Sequence, residues 1–279
     1  MLNAQARFDK SGNLVSRGIE WLPRVFPDGG FVQGYTWNVI TGCLHECQWE
    51  MPDGQIAECY AKTIAEGLAA KSYPHGFAHH YVHPERLKEI LRLKGHARVF
   101  IDSMSDALGA WVVRDEILTL CAAMNACPEI TFLCLTKNAP RIASFADDFP
   151  ANLQVGISSA PDWYKGKRLT PIQQDAYMRA SLRHLASLRA RRPDIVTWMS
   201  FEPLSRDYAA IVSEYPDALR WAVIGAASRG RTYYQPERAH VERTLHVLDA
   251  QRVPVFFKGN LKASADANEW AWREEYPDV

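Results

Sequence analysis

Short, nearly continuous apolar runs alternate along the chain with longer segments whose apolar positions recur at helical spacing. The apolar runs are rich in β-formers and predict strands at Trp37–Thr41, Arg98–Asp102, Ile130–Leu135, Leu153–Ile157, Ile195–Ser200, Trp221–Ile224 and Val255–Lys258. Helices are predicted at Glu58–Ala70, Pro84–Leu93, Asp115–Asn125, Pro140–Phe145, Ile172–Ala190 and Pro236–Ala250. The period is clearest after Gln173, where Ala176, Ala180, Leu182, Leu185 and Leu188 fall on one broad face. Six or seven such β-then-α units predict an α/β barrel or an open parallel sheet. No glycine-rich dinucleotide fingerprint follows the first strand, which favours an incomplete barrel. Residues 1–34 and 259–279 read as extensions around one domain at 35–258.

Composition narrows the class. The 279 residues suit a single α/β core, and 47% hydrophobic with 23% charged residues is ordinary for a globular protein. Basic and acidic side chains number 32 each, so no broad field draws the chain to nucleic acid or membrane, although a local patch is compatible with zero net charge. The first residues carry no signal-peptide run, and no stretch approaches the roughly 20 apolar residues of a membrane span. The expectation is a cytoplasmic protein that does not enter membranes. Six cysteines in such a chain point to metal or redox chemistry rather than a disulfide framework.

In βα folds the polar residues just after each strand line the active face. That selects Cys43 and Cys47, then Ser103, Ser105 and Asp106, then Thr136 and Lys137, Ser158 and Ser159, Glu202, Ser228 and Lys258. Each has a structural alternative. Asp106 suits a turn cap, and Glu202 with Lys258 suits a salt bridge at the strand ends.

Three of the cysteines share one polar loop. Three residues separate Cys43 from Cys47, and eleven separate Cys47 from Cys59. Within the longer gap Pro52-Asp53-Gly54 is a turn signal, so a hairpin would return Cys59 close to Cys47. Gly42 lets the backbone bend as it leaves the first strand, and Cys59 is placed to open a helix. Three thiolates suit a four-iron cluster with one iron left open. The alternatives are buried thiols, or a structural zinc held by Cys43, Cys47, Cys59 and His45. Cys121, Cys127 and Cys134 read as core residues. His75, His79, His80 and His83 read as a substrate-facing or solvated loop rather than a second metal site. Trp163, Tyr164, Tyr233 and Tyr234, with Arg229 and Arg231, have the composition to stack on and clamp a nucleotide.

The segment TWNVITGCLHEC…ECYAK resembles the cysteine loop of radical S-adenosylmethionine (SAM) enzymes. More closely, the chain resembles a phage-associated three-cysteine family of that group. The matching pieces are His83-Pro84-Glu85-Arg86-Leu87, Ser103-Met104-Ser105-Asp106, Leu135-Thr136-Lys137, Ser200-Phe201-Glu202-Pro203-Leu204, Val223-Ile224-Gly225-Ala226 and Val255-Phe256-Phe257-Lys258, in the same order. One departure stands out: the family motif has two residues before its third cysteine, so this loop carries a nine-residue insertion, read here as a contribution to substrate recognition.

The resemblance implies a partial (βα)6 TIM-like barrel with a [4Fe-4S] cluster and SAM at the carboxyl ends of its strands. Cys43, Cys47 and Cys59 would ligate three irons, and the amino and carboxylate groups of SAM the fourth. Cleavage of SAM to a 5′-deoxyadenosyl radical would then allow hydrogen abstraction from substrate. The cofactor contacts implied are Ser103, Ser105, Asp106, Thr136, Ser158, Ile224 and Gly225. Lys137, Glu202 and Lys258 are the candidate catalytic residues. The family points to phage DNA hypermodification, specifically isomerisation of an amino-acid-modified thymine, with flavodoxin or ferredoxin as reductant. Two alternatives remain: a zinc-stabilised, non-catalytic nucleic-acid-binding protein, and a radical SAM lyase acting on damaged bases, as in the photoproduct-repair enzymes that the cysteine loop also resembles.

Overall fold

Runs that are apolar on both faces are stable only where other strands and helices cover them. In the computed structural model, which describes residues 2–278, they build a mixed α/β fold with a large, mostly parallel sheet. Its strands are Leu2–Ala4, Gly34–Trp37, Ala97–Ile101, Ile130–Thr136, Leu153–Ser158, Thr197–Phe201, Trp221–Ile224 and Val255–Phe257. Their order is linear, and no closed barrel is seen among the described residues. The chain divides into two compact units. No helix is long and apolar enough to cross a membrane among the described residues.

The first unit comprises Met1–Leu44, Tyr60–Cys134 and Asp147–Gln154. Ala97–Ile101 runs parallel to Gly34–Trp37 on one side (Arg98 opposite Gly34) and to Ile130–Thr136 on the other (Ala97 opposite Ile130). Leu2–Ala4 adds an antiparallel edge with Leu2 opposite Trp37, so part of the N-terminal extension belongs to the sheet. Trp37 is fully buried with its ring 6.0 Å from that of Phe132, and its indole N–H donates to the Arg86 carbonyl at 2.9 Å. The Arg114–Asn125 helix buries Ile117, Leu120, Cys121 and Met124, which is one helical stripe.

Three expected elements differ here. The first strand is Gly34–Trp37, and Ile40–Thr41 forms a separate short pair with Tyr81–Val82. The reason is a long-range contact: the Asn38 side-chain oxygen accepts hydrogen bonds from Ser103 Oγ and the Met104 N–H, at 3.1 and 3.0 Å, which draws the chain out of the sheet. The expected helix at Glu58–Ala70 is confined to Tyr60–Glu66, ahead of Gly67, so Cys59 precedes a helix of only 7 residues. That expected at Pro84–Leu93 is a 3-10 turn, Pro84–Arg86, followed by the single turn Leu87–Ile90.

The second unit comprises His45–Cys59, Leu135–Ala146 and Val155–Val279. Its strands are parallel, with Gly156 opposite Trp198, Met199 opposite Ala222 and Val223 opposite Phe256. A Cβ at Gly156 would lie 2.3 Å from the Trp198 indole, so the absent side chain makes room for that ring and for its neighbour Trp221, 5.3 Å away. The Pro171–Arg191 helix starts with a capping box in which Thr170 and Gln173 exchange side-chain bonds to each other's backbone N–H. Its buried face is Gln174, Met178, Ser181, Leu182, Leu185 and Leu188, whereas Ala176 is exposed. Gln174 goes inside because its amide donates to the Pro161 carbonyl and to Asp162 Oδ1, at 3.1 and 2.8 Å. Beyond the last strand the chain doubles back, and Glu275 takes the Trp221 indole N–H on its carbonyl at 2.9 Å.

Candidate functional site

The loop that follows the first strand is held by backbone geometry before any side chain is considered. Gly42 sits at φ 87°, and a Cβ there would lie 1.9 Å from the His79 carbonyl oxygen, so only glycine fits. Its N–H donates to the Met104 carbonyl at 3.0 Å, and its own carbonyl accepts from Ser105 Oγ at 2.6 Å. The Cys43 N–H donates to the Phe77 carbonyl at 2.9 Å. Thus Ser103 and Ser105, expected as cofactor contacts, spend their hydroxyls on the Asn38 side chain and the Gly42 carbonyl. Asp106 is buried and accepts from the Leu108 N–H at 2.9 Å, so it caps a turn.

Sequence reasoning passed over the residue between the second strand and these serines. Asp102 is 2% exposed at φ 50°, and its Oδ1 accepts the Ile40 N–H at 2.8 Å while Oδ2 is buried without a hydrogen-bond partner. Burial pushes its carboxyl up to about 7, against the lowering pull of the Ile40 and Val39 N–H groups. The folded state therefore holds a proton that the unfolded chain has released, between the ordinary value near 3.8 and about 7. Asp102 favours folding fully below pH 3.8, and that contribution is lost as pH rises to about 7. The loss amounts to roughly 4 kcal/mol at most. Denaturation of wild type and Asp102→Asn across this window is expected to show the wild type losing stability relative to the variant as pH rises. Parallel curves would show that the carboxyl is ionised throughout.

In the second unit the residues between Cys47 and Cys59 form a hairpin, Gln48–Glu50 against Ile56–Glu58, with Gln48 opposite Glu58. Gly54, at φ 77°, closes its turn and donates to the Met51 carbonyl at 2.8 Å. The ladder continues to the cysteines, where the Cys59 N–H donates to the Cys47 carbonyl at 3.2 Å. Opposite residues share a face, so Cys47 and Cys59 project to the same side, as do Trp49 and Ala57 two positions on. The insertion returns the Cys59 backbone to the side of Cys47 instead of carrying it away.

Lys137 Nζ is hydrogen-bonded to Ser158 Oγ and lies 5.5 Å from the Trp49 ring, while its carbonyl accepts the hydroxyls of Tyr164 and Tyr177 at 3.2 and 3.1 Å. Thr136 is buried and its Oγ1 accepts the Asn138 N–H. Glu202 and Lys258 form an ion pair at 2.7 Å, and Ser200 Oγ donates to the other carboxylate oxygen at 2.9 Å. Gly225 lies under this pair: a Cβ would meet the Lys258 stem and Asn260 Oδ1, each at 3.1 Å. Asn260, also passed over in the sequence, exchanges both amide bonds with the Ala226 backbone. Ile224 is fully buried, and its carbonyl accepts the Lys258 N–H.

Sulfur donors select clusters and soft ions, and the thiol trio fits a cluster on chemistry. Among the described residues no group of three His, Cys, Asp or Glu side chains is gathered to hold a metal, Cys43, Cys47 and Cys59 included, so the trio fits by residue type alone; His45 is buried with its ring stacked on Tyr164. The four histidines of residues 75–83 are taken up by packing and by separate polar partners. His80 meets Glu116, His83 meets Thr41, and His75 and His79 pack around Tyr81.

No curated protein matches the chain. Among solved structures, two cysteine mutants of spore photoproduct lyase share the fold with TM-scores of 0.52, at 11% and 10% identity, each over 80% of this chain and 76% of that one. A double mutant of the same enzyme with bound AdoMet and dinucleoside spore photoproduct gives 0.43 at 12% identity, and this chain covers 61% of its length. At such identities the likeness is one of fold, a mixed α/β architecture around a large parallel sheet. The family model described as "Protein of unknown function (DUF5131)" matches residues 31–269, and the chain belongs to that family.

Proposed function

We propose that the protein is a radical SAM enzyme in which Cys43, Cys47 and Cys59 hold a [4Fe-4S] cluster, and that it acts on a modified base of DNA. The observation that carries this reading is the hairpin ladder that returns Cys59 to the side of Cys47 despite eleven intervening residues. The fold shared with spore photoproduct lyase supports it. When bound, the cluster and SAM supply a one-electron cleavage that yields a hydrogen-abstracting radical. The chain's own part is to orient and to shield. Gly42 and Ser105 fix the loop that carries Cys43, and Asn38 fixes Ser103 and Met104 beside it. Lys137 and Lys258 are the cations offered to carboxylate or phosphate groups, each steadied by a neighbour, Ser158 or Glu202. The architecture is a partial (βα)6 barrel over residues 35–258, with a flavodoxin- or ferredoxin-type reductant.

The reaction we favour is isomerisation of an amino-acid-modified thymine in phage DNA, on the strength of the motif series from His83 to Lys258. A lyase reaction on a damaged base is the second reading, favoured by the fold likeness. Anaerobic reconstitution is expected to give a brown protein with about four irons per chain that cleaves SAM under reduction. Mass analysis of the treated substrate then separates the two reactions, because isomerisation leaves mass unchanged. Colourless protein with one zinc per chain would overturn the enzyme reading.

A further inference from the structure

The hairpin between the cysteines is also the base of a larger outcrop of the second unit. Gln48 pairs with Trp163 of a second hairpin, Trp163–Tyr164 and Lys167–Arg168, giving a four-stranded antiparallel sheet. The junction is reinforced where Asp162 Oδ2 accepts the Glu50 N–H at 2.8 Å and where Arg168 pairs with Glu50. At the tip, Asp53 Oδ2 accepts the Tyr234 hydroxyl at 2.8 Å, which ties in a third hairpin, Ala227–Arg229 with Thr232–Tyr234. The second and third hairpins follow the carboxyl ends of the Leu153–Ser158 and Trp221–Ile224 strands. Three separate stretches of sequence thus meet in one structure beside Cys47 and Cys59.

The chemistry at the tips is consistent. Lys165 and Lys167 crown the second hairpin, and Arg229 and Arg231 the third; all four are exposed, and among the described residues none sits in an ion pair. The acids nearby are in part engaged: Glu50 with Arg168, and Asp53 with Tyr234 under the influence of Arg229. Glu46 lies against Gly166. Tyr233 is 56% exposed on the hairpin face it shares with Ser228, and Trp163 lies under the Arg168 guanidinium at 5.0 Å. In a chain of zero net charge, cations outside ion pairs beside the exposed Tyr233 ring and the half-buried Trp163 and Tyr164 are the makings of a local site for a phosphate backbone with unstacked bases, although Lys165 Nζ also lies 5.3 Å from the Tyr164 ring.

We propose that this three-hairpin outcrop binds a polynucleotide strand. Lys165, Lys167, Arg229 and Arg231 take backbone phosphates, and Tyr233 stacks on a base flanking the one that reacts. The insertion between Cys47 and Cys59 is then a substrate platform, anchored to the third hairpin through Asp53 and Tyr234. The inference rests on the reading that the substrate base lies within a nucleic acid.

Fluorescence anisotropy of a labelled single-stranded oligothymidylate on the full chain tests it with neither cluster nor SAM. Wild type is expected to bind with a steep salt dependence. The variant combining Lys165→Gln, Lys167→Gln, Arg229→Gln and Arg231→Gln is expected to lose more than tenfold in affinity, with its log–log salt slope shallower by up to about 3, at about 0.7 per phosphate. Tyr233→Ala is expected to weaken binding by about 5-fold to 100-fold with the slope unchanged. The pair Lys71→Gln and Lys94→Gln, exposed in the first unit, controls for general charge. Binding whose slope survives the quadruple change would overturn the proposal and leave the substrate reading standing. Turnover of a free modified nucleoside by a chain that binds no oligonucleotide would overturn both the proposal and the reading of a substrate base within DNA. The expected binding in a protein that takes up no iron would support the outcrop while the radical SAM reading falls.

Discussion

On the ligand set proposed above, Cys59→Ala is expected to lower bound iron well below the level of about four per chain expected of the wild type, and to cut SAM cleavage by more than about 100-fold. That exceeds the 10–100-fold typical of losing an outer-shell partner, because a ligand itself is removed. The same result is expected for Cys43→Ala and Cys47→Ala. The contrast lies with the other three cysteines. Cys121 is buried on the Arg114–Asn125 helix, where burial and then Asp148 push its thiol up to about 12, and burial also raises Cys127. A thiol held protonated is a poor ligand, so Cys121→Ala and Cys127→Ala are expected to keep their iron, as is Cys134→Ala, whose side chain is packed in the core of the Ile130–Thr136 strand. Absorbance of the anaerobic protein and iron and sulfide analysis read the outcome without an activity assay. Full iron content in Cys59→Ala would remove the long-spaced thiol from the ligand set, and with it the carrying observation for a radical mechanism.

The parallel strands were legible because each is a compact apolar run. Trp221–Ile224 and the Pro140–Phe145 helix stand where the apolar pattern puts them, and the Leu153–Ser158 strand differs by one residue at its end. Misplacement arose where a side chain competes with the ladder. Asn38 interrupts an otherwise continuous apolar stretch, and its hydrogen bonds to Ser103 and Met104 are long-range, so local pattern could not reveal that the strand stops at Trp37. Gln174 shows the same effect on a helix: a polar residue takes a core position because Pro161 and Asp162 satisfy it, while Ala176 is left outside. The linear strand order depends on which edges stay unpaired, and no periodicity encodes that.

At the site, residue types were legible and their partners were not. Pro52-Asp53-Gly54 marked the turn that returns Cys59 to Cys47, since turn chemistry is local. Glu202 and Lys258 were selected as polar strand-end residues, and they do meet, across 55 intervening positions that sequence spacing cannot bridge. Asp102 was read as the end of an apolar strand and Asn260 as part of a tail. Each matters through a backbone group elsewhere, at Ile40 and Ala226. Trp49 is the clearest omission. It looks like one more turn-flanking aromatic, yet the ladder sets it on the same side as both cysteines, with Lys137 against its ring.

Gly42→Ala is expected to destabilise the fold by more than about 4 kcal/mol, or to displace the cysteine loop outright, which places it among the most damaging single substitutions. Two costs add. An alanine at φ 87° occupies a conformation worth about 1–2 kcal/mol of strain for a residue with a Cβ. The new Cβ would also stand 1.9 Å from the His79 carbonyl oxygen and 2.7 Å from its carbon, and both are backbone atoms that no rotamer change can move aside. Relief requires shifting Gly42 away from Met104 and Ser105, which breaks the 3.0 and 2.6 Å bonds that seat the residue next to Cys43. Gly54→Ala isolates the first cost, because Gly54 is also left-handed, at φ 77°, but nothing lies within 4 Å of its Cβ position. That variant is expected to lose about 1 kcal/mol and to load iron normally. Urea denaturation with iron quantitation on both variants separates strain from collision. A Gly42→Ala protein as stable as Gly54→Ala, with full iron, would mean that the first cysteine does not depend on the geometry of the turn before it.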